Sequence, residues 1–314
     1  MRHIKPYQEL FESQQGLIQE QKDWLYECTT GSWEINTQTG LVDVDGDFSC
    51  TGQGLTDFKG VRFGNIIGDF DCDNNLLTSL RGAPQVVGGS FYCADNQLTS
   101  LEGSPQRVDG DFLCHNNQLT SLEGAPQRVG EGFICSDNSL TSLEGAPLEI
   151  EENFDCGNNQ LTSLDGAPQS VGGSFDCSNN FLISLEGAPQ NVNGTFNCSD
   201  NQLTSLKGSP QRVDGDFLCH NNQLTSLEGA PQRVGGYLFC YGNPISETGI
   251  TNVIRRMSDH NVSLEQAVSG RWKTGKWDEI TEEDKPYLAK HNPDLTPEEK
   301  REYAALERLK TRII

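Results

Sequence analysis

A repeat of 21 residues constrains the fold of this chain more than any other feature of its sequence. Between residues 70 and 243 the pattern F-x-C-x-x-N-x-L-T-S-L-E-G-A-P-Q-x-V-x-G-x recurs, and it places a cysteine every 21 residues. These cysteines are Cys72, Cys93, Cys114, Cys135, Cys156, Cys177, Cys198, Cys219 and Cys240, and Cys50 precedes them in a degenerate copy at a spacing of 22. A fixed period of this length is typical of a solenoid, in which each coil packs against its neighbours.

The repeat also predicts the path of a single coil. Phe112 and Cys114 are two residues apart, so an extended segment points both side chains to the same inward face. One short strand per coil would then stack in parallel into a sheet along one side of the solenoid. Asn117 follows the strand and recurs in each full copy. This predicts an inward asparagine ladder that satisfies backbone groups left unpaired by tight coiling.

The segment F-x-C-x-x-N-x-L-x-x-L resembles the leucine-rich repeat, whose L-x-L-x-x-N-x-L-x-x-L it matches with Phe and Cys at two Leu positions. Its length is similar to that of the short leucine-rich repeats of bacterial effector proteins. The wording L-T-S-L-x-G-x-P also resembles leucine-rich repeat proteins of bacteriophages and bacteria. The resemblance covers roughly residues 44–245. It implies a binding role and, for a phage-borne protein, a host or defence protein as the inhibited partner.

We therefore expect a β-rich, leucine-rich-repeat-like solenoid of about ten coils, with a parallel sheet on one face and α-helical caps at both ends. Residues 1–43 would form an N-terminal cap, in which a helix over 3–27 precedes a hairpin of strands at 33–36 and 41–44. Residues 44–245 would form the solenoid, and residues 246–314 a C-terminal helical cap. Caps are expected because an end coil otherwise exposes its core and an unpaired strand edge.

Cysteine usage predicts the compartment. Ten of the eleven cysteines occupy one inward column, and strands about 4.8 Å apart hold such side chains slightly too far apart for good disulfide geometry. Buried reduced thiols indicate the cytoplasm, either of a bacterial cell or of the host of a phage. No apolar run of about 18 residues is present, so we expect no membrane span. The first residues lack an apolar signal core, so we expect no secretion by that route.

The negative charge belongs to the repeats. The chain carries a net charge of −22, and residues 28–245 contain 27 Asp and Glu against 8 Lys and Arg, a net −19. This balance argues against direct binding to nucleic acid or anionic lipid, whose attraction needs Lys and Arg. Two interpretations stay open: a solvated surface that keeps molecules apart, or a mimic of DNA that occupies a basic cleft.

The sequence offers no catalytic, cofactor or metal constellation. Cys114 and His115 are metal-ligand types, as are Cys219 and His220, but adjacent strand residues point to opposite faces and do not converge on one zinc ion. The acidic letters at 43–47 lack the Gly and Glu of a calcium-binding EF-hand loop. No nucleophile elbow, phosphate-binding loop or H-E-x-x-H occurs. We predict a protein that is not an enzyme.

The outward strand positions, where the coils differ, are the candidate contact surface. Tyr92, Leu113 and Ile134 form an apolar group on three consecutive coils, and such patches usually mark contacts. A second group, which includes Tyr237, is either a contact or a surface covered by the C-terminal helices. Asp155, Asp176 and Asn197 would form a polar rim. The predicted partner-binding residues are Tyr92, Leu113, Ile134, His115, Asp155, Asp176, Leu218, His220, Phe239 and Tyr241.

Three functions follow from these observations, and the oligomeric state stays open. The first is a protein-binding module whose acidic surface selects basic partners and speeds their encounter. The second is a DNA-mimic inhibitor of a nucleic-acid-binding protein, and the third is a structural or self-assembling protein.

The chain also contains an internal copy: residues 107–130 are identical to residues 212–235, an offset of five coils. A five-coil block has been copied within the chain.

Overall fold

A computed structural model describes residues 16–240 and 242–245, and within them the chain is a parallel-sheet solenoid of about nine turns. The predicted solenoid with parallel sheets is therefore confirmed. The first part of the predicted N-terminal helix, Tyr241 and the predicted C-terminal helices lie outside the described residues. Among the described residues no helix has the length and apolar character needed to cross a membrane.

The described part contains one helix and 21 strands, most of them two residues long. The helix α1 is Gln19–Cys28. The strands are β1 Ser32–Ile35, β2 Val42–Asp45, β3 Phe48–Ser49, β4 Phe63–Ile66, β5 Phe70–Asp71, β6 Val86–Val87, β7 Phe91–Tyr92, β8 Arg107–Val108, β9 Phe112–Leu113, β10 Arg128–Val129, β11 Phe133–Ile134, β12 Glu149–Ile150, β13 Phe154–Asp155, β14 Ser170–Val171, β15 Phe175–Asp176, β16 Asn191–Val192, β17 Phe196–Asn197, β18 Arg212–Val213, β19 Phe217–Leu218, β20 Arg233–Val234 and β21 Leu238–Phe239.

The chain divides into two compact units. Unit 1 comprises the described residues up to Gln160 together with Gly166–Pro168, and unit 2 comprises Leu161–Asp165 together with the described residues from Gln169 onward. In unit 1, β3, β5, β7, β9, β11 and β13 pair in parallel in that order, with the first residue of each strand opposite the first of the next. In unit 2, β15, β17, β19 and β21 pair in the same way. We call these Phe-x strands the front strands.

The front strands build the core because their first residue points inward. In unit 1 the rings of Phe70, Phe91, Phe112, Phe133 and Phe154 are buried and stack with 5.1–5.7 Å between the centroids of successive rings. The cysteine two residues further on is also buried in each coil, as are the two leucines that follow. The inward Phe and Cys columns predicted from the sequence are confirmed.

A second row of strands, at the x-V positions, was not predicted from the sequence. In unit 1, β2, β4, β6, β8 and β10 pair in parallel, and β1 adds an antiparallel edge. In unit 2, β14, β16, β18 and β20 pair in parallel. From β8 onward each of these strands buries one Val or Ile and exposes the residue before it. The apolar residue at the start of each V-x-G turn therefore stabilises a second sheet.

The asparagine ladder is present. Asn96 shows the pattern: its amide nitrogen donates to the carbonyls of Cys72 and Ala94 at 3.0 Å each, and its Oδ1 accepts from the N–H of Leu77 at 3.0 Å. The side chain thus joins two successive coils through backbone groups that no strand pairs. The residue before each of the first eight ladder asparagines is Asn or Asp and has a left-handed backbone, with φ of 52–55°, and Gly242, before Asn243, has φ of 66°. Those two residue types tolerate this conformation best after glycine.

The N-terminal helix and hairpin lie against the first coil of unit 1. The indole of Trp24 meets the ring of Phe48 edge-on at 5.3 Å, and its Nε1 donates to Oε1 of Gln53 at 2.9 Å. Gln21 fixes the start of α1 by accepting from the N–H of Ile18 at 3.0 Å, and it donates to the carbonyl of Lys59 at 2.7 Å. The hairpin of β1 and β2 follows where the sequence predicted one.

Candidate partner-binding face

Tyr92, Leu113 and Ile134 lie side by side on the front strands of unit 1, and we call them the apolar strip. Tyr92 is opposite Leu113 in the strand register, and Leu113 is opposite Ile134. All three side chains are half-buried, because neighbours about 5 Å apart cover one another's flanks. The structure therefore brings these three predicted residues together. The surface that they offer is a narrow ridge of side-chain ends.

Carboxylates lie at both ends of the apolar strip. Asp71 is opposite Tyr92 at one end, and Asp155 is opposite Ile134 at the other. Asp71 accepts from the N–H of Asp73 and from the hydroxyl of Ser49, each at 3.0 Å. Asp155 accepts from the N–H of the residue two further on at 2.9 Å. These local bonds fix each carboxylate over the end of its strand while leaving it half-buried at the surface.

The residues that follow the buried cysteines form a second outward column. In unit 1 this column includes Asp73, two residues after Asp71. The Oδ1 of Asp73 accepts from the N–H of Ala94 at 2.6 Å, which ties it to the following coil. Burial, together with the neighbouring carboxylates of Asp71 and Asp95, raises the pKa of Asp73 to about 7 against the opposing effect of the bond from Ala94. Asp73 is therefore partly protonated at neutral pH.

His115 follows in the same column, between Ala94 and Ser136. Its side chain is half-buried, and its buried Nδ1 has no hydrogen-bond partner among the described residues. His115 is two residues after Leu113, so its ring belongs to the column of side chains that borders the apolar strip. With Ala94 and Ser136 buried on either side, this column adds little apolar surface of its own.

In unit 2 the predicted rim residues bond to their own coil and to the next. Asp176 accepts from the N–H and hydroxyl of Ser178 at 2.8 and 2.6 Å, and from the amide of Asn197 at 2.8 Å. Asn197 repeats the pattern with the N–H of Ser199 at 3.1 Å. An Asp or Asn at the outward strand position thus accepts the backbone N–H two residues further on, where the strand ends. This hydrogen bond gives these polar residues a structural role.

The second apolar group is smaller than the sequence indicated. Leu218 is half-buried and opposite Phe239, which is only 7% exposed and so offers little surface to a partner. Tyr237 is exposed, and its ring meets that of Phe239 at 5.9 Å. His220 Nε2 lies 3.7 Å from Oδ2 of Asp200, and burial lowers the pKa of His220, which favours the neutral ring. Tyr241 lies outside the described residues.

Sequence reasoning missed an exposed apolar pair in unit 2. Phe181 and Ile183 are 49% and 62% exposed, on either side of the buried Leu182. Most other coils have Gln and Thr at these two positions. The signal was therefore present in the sequence as F-L-I-S in place of Q-L-T-S, but it lies away from the strand columns in which contacts were sought.

Many of the acidic residues have partners within the fold. Asp69, Asp111 and Asp216 precede a front strand, and the Oδ1 of each accepts the N–H of the equivalent residue in the next coil at 2.7 Å. Arg107 pairs with Asp109, and the copied residues Arg212 and Asp214 form the same ion pair at 2.6 Å. These carboxylates hold successive coils together or are neutralised, so they do not form a regular row of free charges.

The cysteines are structural side chains in this fold. All eleven are buried and free. Burial raises the pKa of the Cys72, Cys93 and Cys135 thiols well above the ordinary value, so they stay protonated and unreactive at neutral pH. No group of three or more His, Cys, Asp and Glu within residues 16–240 and 242–245 is placed to hold a metal ion.

Comparison with known proteins gives similarity at the level of structure only. No protein-family model matches the chain, and no curated protein sequence matches it. YopM from Yersinia enterocolitica WA-314 is similar with a TM-score of 0.34 and 18% sequence identity, over 64% of this chain and 61% of that chain, less than two thirds of its length. The leucine-rich-repeat protein LIC12759 from Leptospira interrogans is similar with a TM-score of 0.23 and 13% identity, over 67% of this chain and 93% of that chain.

The chain's own geometry assigns the fold. One short parallel strand per coil occupies the start of the 21-residue motif, the ladder asparagine occupies the turn after it, and the two leucines that follow are buried in each coil. These are the positions of the leucine-rich-repeat motif that the sequence resembles. The chain folds as a solenoid with leucine-rich-repeat-like coils.

Proposed function

We propose that this chain is a non-catalytic protein-binding module that captures a protein partner on the front strands of unit 1. A single observation carries the proposal: Tyr92, Leu113 and Ile134 are in register on adjacent strands, at a column where four other coils have Asp or Asn. The polar residues of that column close their own strand ends, whereas the three apolar residues have no such bond to make. Apolar side chains that meet on a sheet surface favour contact with another protein.

The proposal extends to the partner's compartment and source. Buried thiols fit a reducing cytoplasm, and the net charge of −19 over residues 28–245 favours basic partners through faster encounter. The resemblance to phage-borne repeat proteins supports a host or defence protein as the inhibited partner.

The copied block supplies a matched test of the binding face. Leu113 and Leu218 lie within identical 24-residue stretches, but Leu113 has Tyr92 and Ile134 as neighbours whereas Leu218 has Asn197 and Phe239. Tagged wild-type chain, Leu113→Asp and Leu218→Asp are each used to capture proteins from bacterial lysate, and eluates are compared by mass spectrometry. We expect Leu113→Asp to lose the partner that the wild type and Leu218→Asp retain, a loss of about 2 kcal/mol or roughly thirtyfold.

Thermal unfolding of each variant separates lost binding from lost folding, since both leucines are half-buried and the two substitutions cost similar stability. Equal capture by Leu113→Asp and the wild type would overturn the proposal. Displacement of the partner by duplex DNA would instead support the DNA-mimic interpretation, and a molecular mass that rises with concentration would support self-assembly.

A further inference from the structure

We propose that the apolar strip, with its flanking carboxylates, accepts a short extended segment of a partner that carries Lys or Arg at both ends of an apolar run. This inference rests on the proposed function, because it specifies the chemistry of the same face. It follows from the order of side chains along the outward column of unit 1, which is Asp71, Tyr92, Leu113, Ile134 and Asp155. The column is acidic at both ends and apolar in its centre.

The front face of unit 1 carries no basic residue to compete with such a segment. Neither outward column has a Lys or Arg, and the second column adds Asp73. The nearest basic residues in sequence, Arg107 and Arg128, are on the other row of strands, and Arg107 already pairs with Asp109. The exposed carboxylates of Asp95 and Asp137 border the same face. The electrostatic preference of this surface is therefore of one sign.

The spacing sets the length of the segment. Asp71 and Asp155 are four strands apart, and successive coils are about 5 Å apart, so the two carboxylates lie about 20 Å apart. An extended chain advances about 3.3 Å per residue, so two basic side chains that reach both carboxylates stand about six positions apart, and this even spacing points both of them to the same face. Such a segment lies along the stack of coils, with its central apolar side chains on the strip.

The width of the strip favours an extended segment over a helix. The apolar strip is one side chain wide, and the neighbouring column of Ala94, His115 and Ser136 is small or polar. A helix with its side chains is about 10–12 Å across and needs a broader apolar groove. Nucleic acid and anionic lipid are disfavoured, since the outward columns of this face carry carboxylates and no Lys or Arg.

The test uses three labelled ten-residue peptides and the full chain, with binding followed by fluorescence anisotropy. The first peptide has Arg at its second and eighth positions and Leu, Phe and Val between them; the second replaces both Arg by Glu; the third keeps both Arg and replaces the apolar residues by Ser. We expect the first peptide to bind at least tenfold more tightly than either of the others. No measurable binding of the first peptide at millimolar concentration, or equal binding of the first two, would overturn the inference.

Variants assign the effect to this face. Asp71→Asn keeps the oxygen that accepts from Asp73, so it removes charge with little change in the fold. We expect Asp71→Asn combined with Asp155→Asn to weaken binding of the first peptide about fivefold or more. Glu228→Gln, which removes an exposed charge from unit 2, should leave that binding unchanged. If the double variant binds the peptide as the wild type does, the inference fails.

The two proposals fail separately. Capture of the lysate partner that is lost in Leu113→Asp but is unaffected by Asp71→Asn with Asp155→Asn would keep the binding face and overturn the basic segment. Capture that is unaffected by Leu113→Asp would overturn the face itself, whatever the peptides do.

Discussion

At the residue scale, Asn158 and Asn159 are neighbours of the same type with different physical roles. Asn159 is buried, and its amide nitrogen donates to the carbonyls of Cys135, Cys156 and Gly157 at 3.1 Å each. Its Oδ1 also accepts a backbone N–H at 2.9 Å. Asn158 is exposed and has a left-handed backbone with φ of 52°. Asn159 is therefore needed for its side-chain hydrogen bonds, whereas Asn158 is needed because asparagine tolerates a left-handed backbone.

This difference predicts opposite responses to substitution. Asn159→Ala leaves buried backbone groups without partners and should lower the free energy of unfolding by about 2–3 kcal/mol. Asn158→Gly should change it by less than about 0.5 kcal/mol, because glycine adopts a positive φ without strain. Asn158→Val should cost about 1–2 kcal/mol, because a β-branched side chain resists that conformation. Denaturant unfolding of the three variants measures these values, and equal costs for Asn159→Ala and Asn158→Gly would contradict the assignment.

At the element scale, helix α1 stabilises unit 1 by covering its first coil. Trp24 is 3% exposed, its ring meets Phe48 and Phe63, and the ammonium group of Lys59 lies 5.3 Å from its ring centroid. Trp24→Ala should cost about 3–5 kcal/mol because it opens a cavity and leaves Gln53 without its indole donor. Hydrogen exchange should then become faster in β3 and β4, while β11 and β13 keep their protection, since each coil depends on its nearest neighbours.

Tyr26 provides the control for this element. It lies on the same helix, 71% exposed, with its ring 5.1 Å from that of Trp33. Tyr26→Ala should cost no more than about 1 kcal/mol and should leave exchange in β3 and β4 unchanged. If both substitutions accelerated exchange throughout unit 1, helix α1 would not act as a local cover.

The elements also show how much the sequence could predict. The strict period determined the coil, the inward Phe and Cys columns and the asparagine ladder, because each follows from a residue that recurs at one position. The second row of strands escaped prediction because a two-residue strand pairs only between coils and leaves no alternation along the chain. The half-burial of Tyr92, Leu113 and Ile134 could not be predicted from any single coil, because it results from in-register neighbours that cover one another.

At the scale of the whole molecule, the thiols report how the two units open. Seven buried cysteines, Cys28 to Cys156, lie in unit 1, and four, Cys177 to Cys240, lie in unit 2. We expect the native chain at pH 8 to resist a thiol reagent, because only opening exposes these buried thiols. With increasing guanidinium, alkylation followed by mass spectrometry of peptides should label them in two sets that match the units. Random labelling across both sets, or rapid labelling without denaturant, would contradict this expectation.

The constant spacing of the front strands gives the protein the properties of a ruler. Within unit 1 every coil advances the surface by the same step, so the distance between two outward residues of that unit is set by the number of coils between them. The identity of residues 107–130 with residues 212–235 means that gain or loss of five coils would join the same letters at its boundary. Mutations that add or remove coils can therefore change the distance between two contact points only in multiples of the spacing between coils.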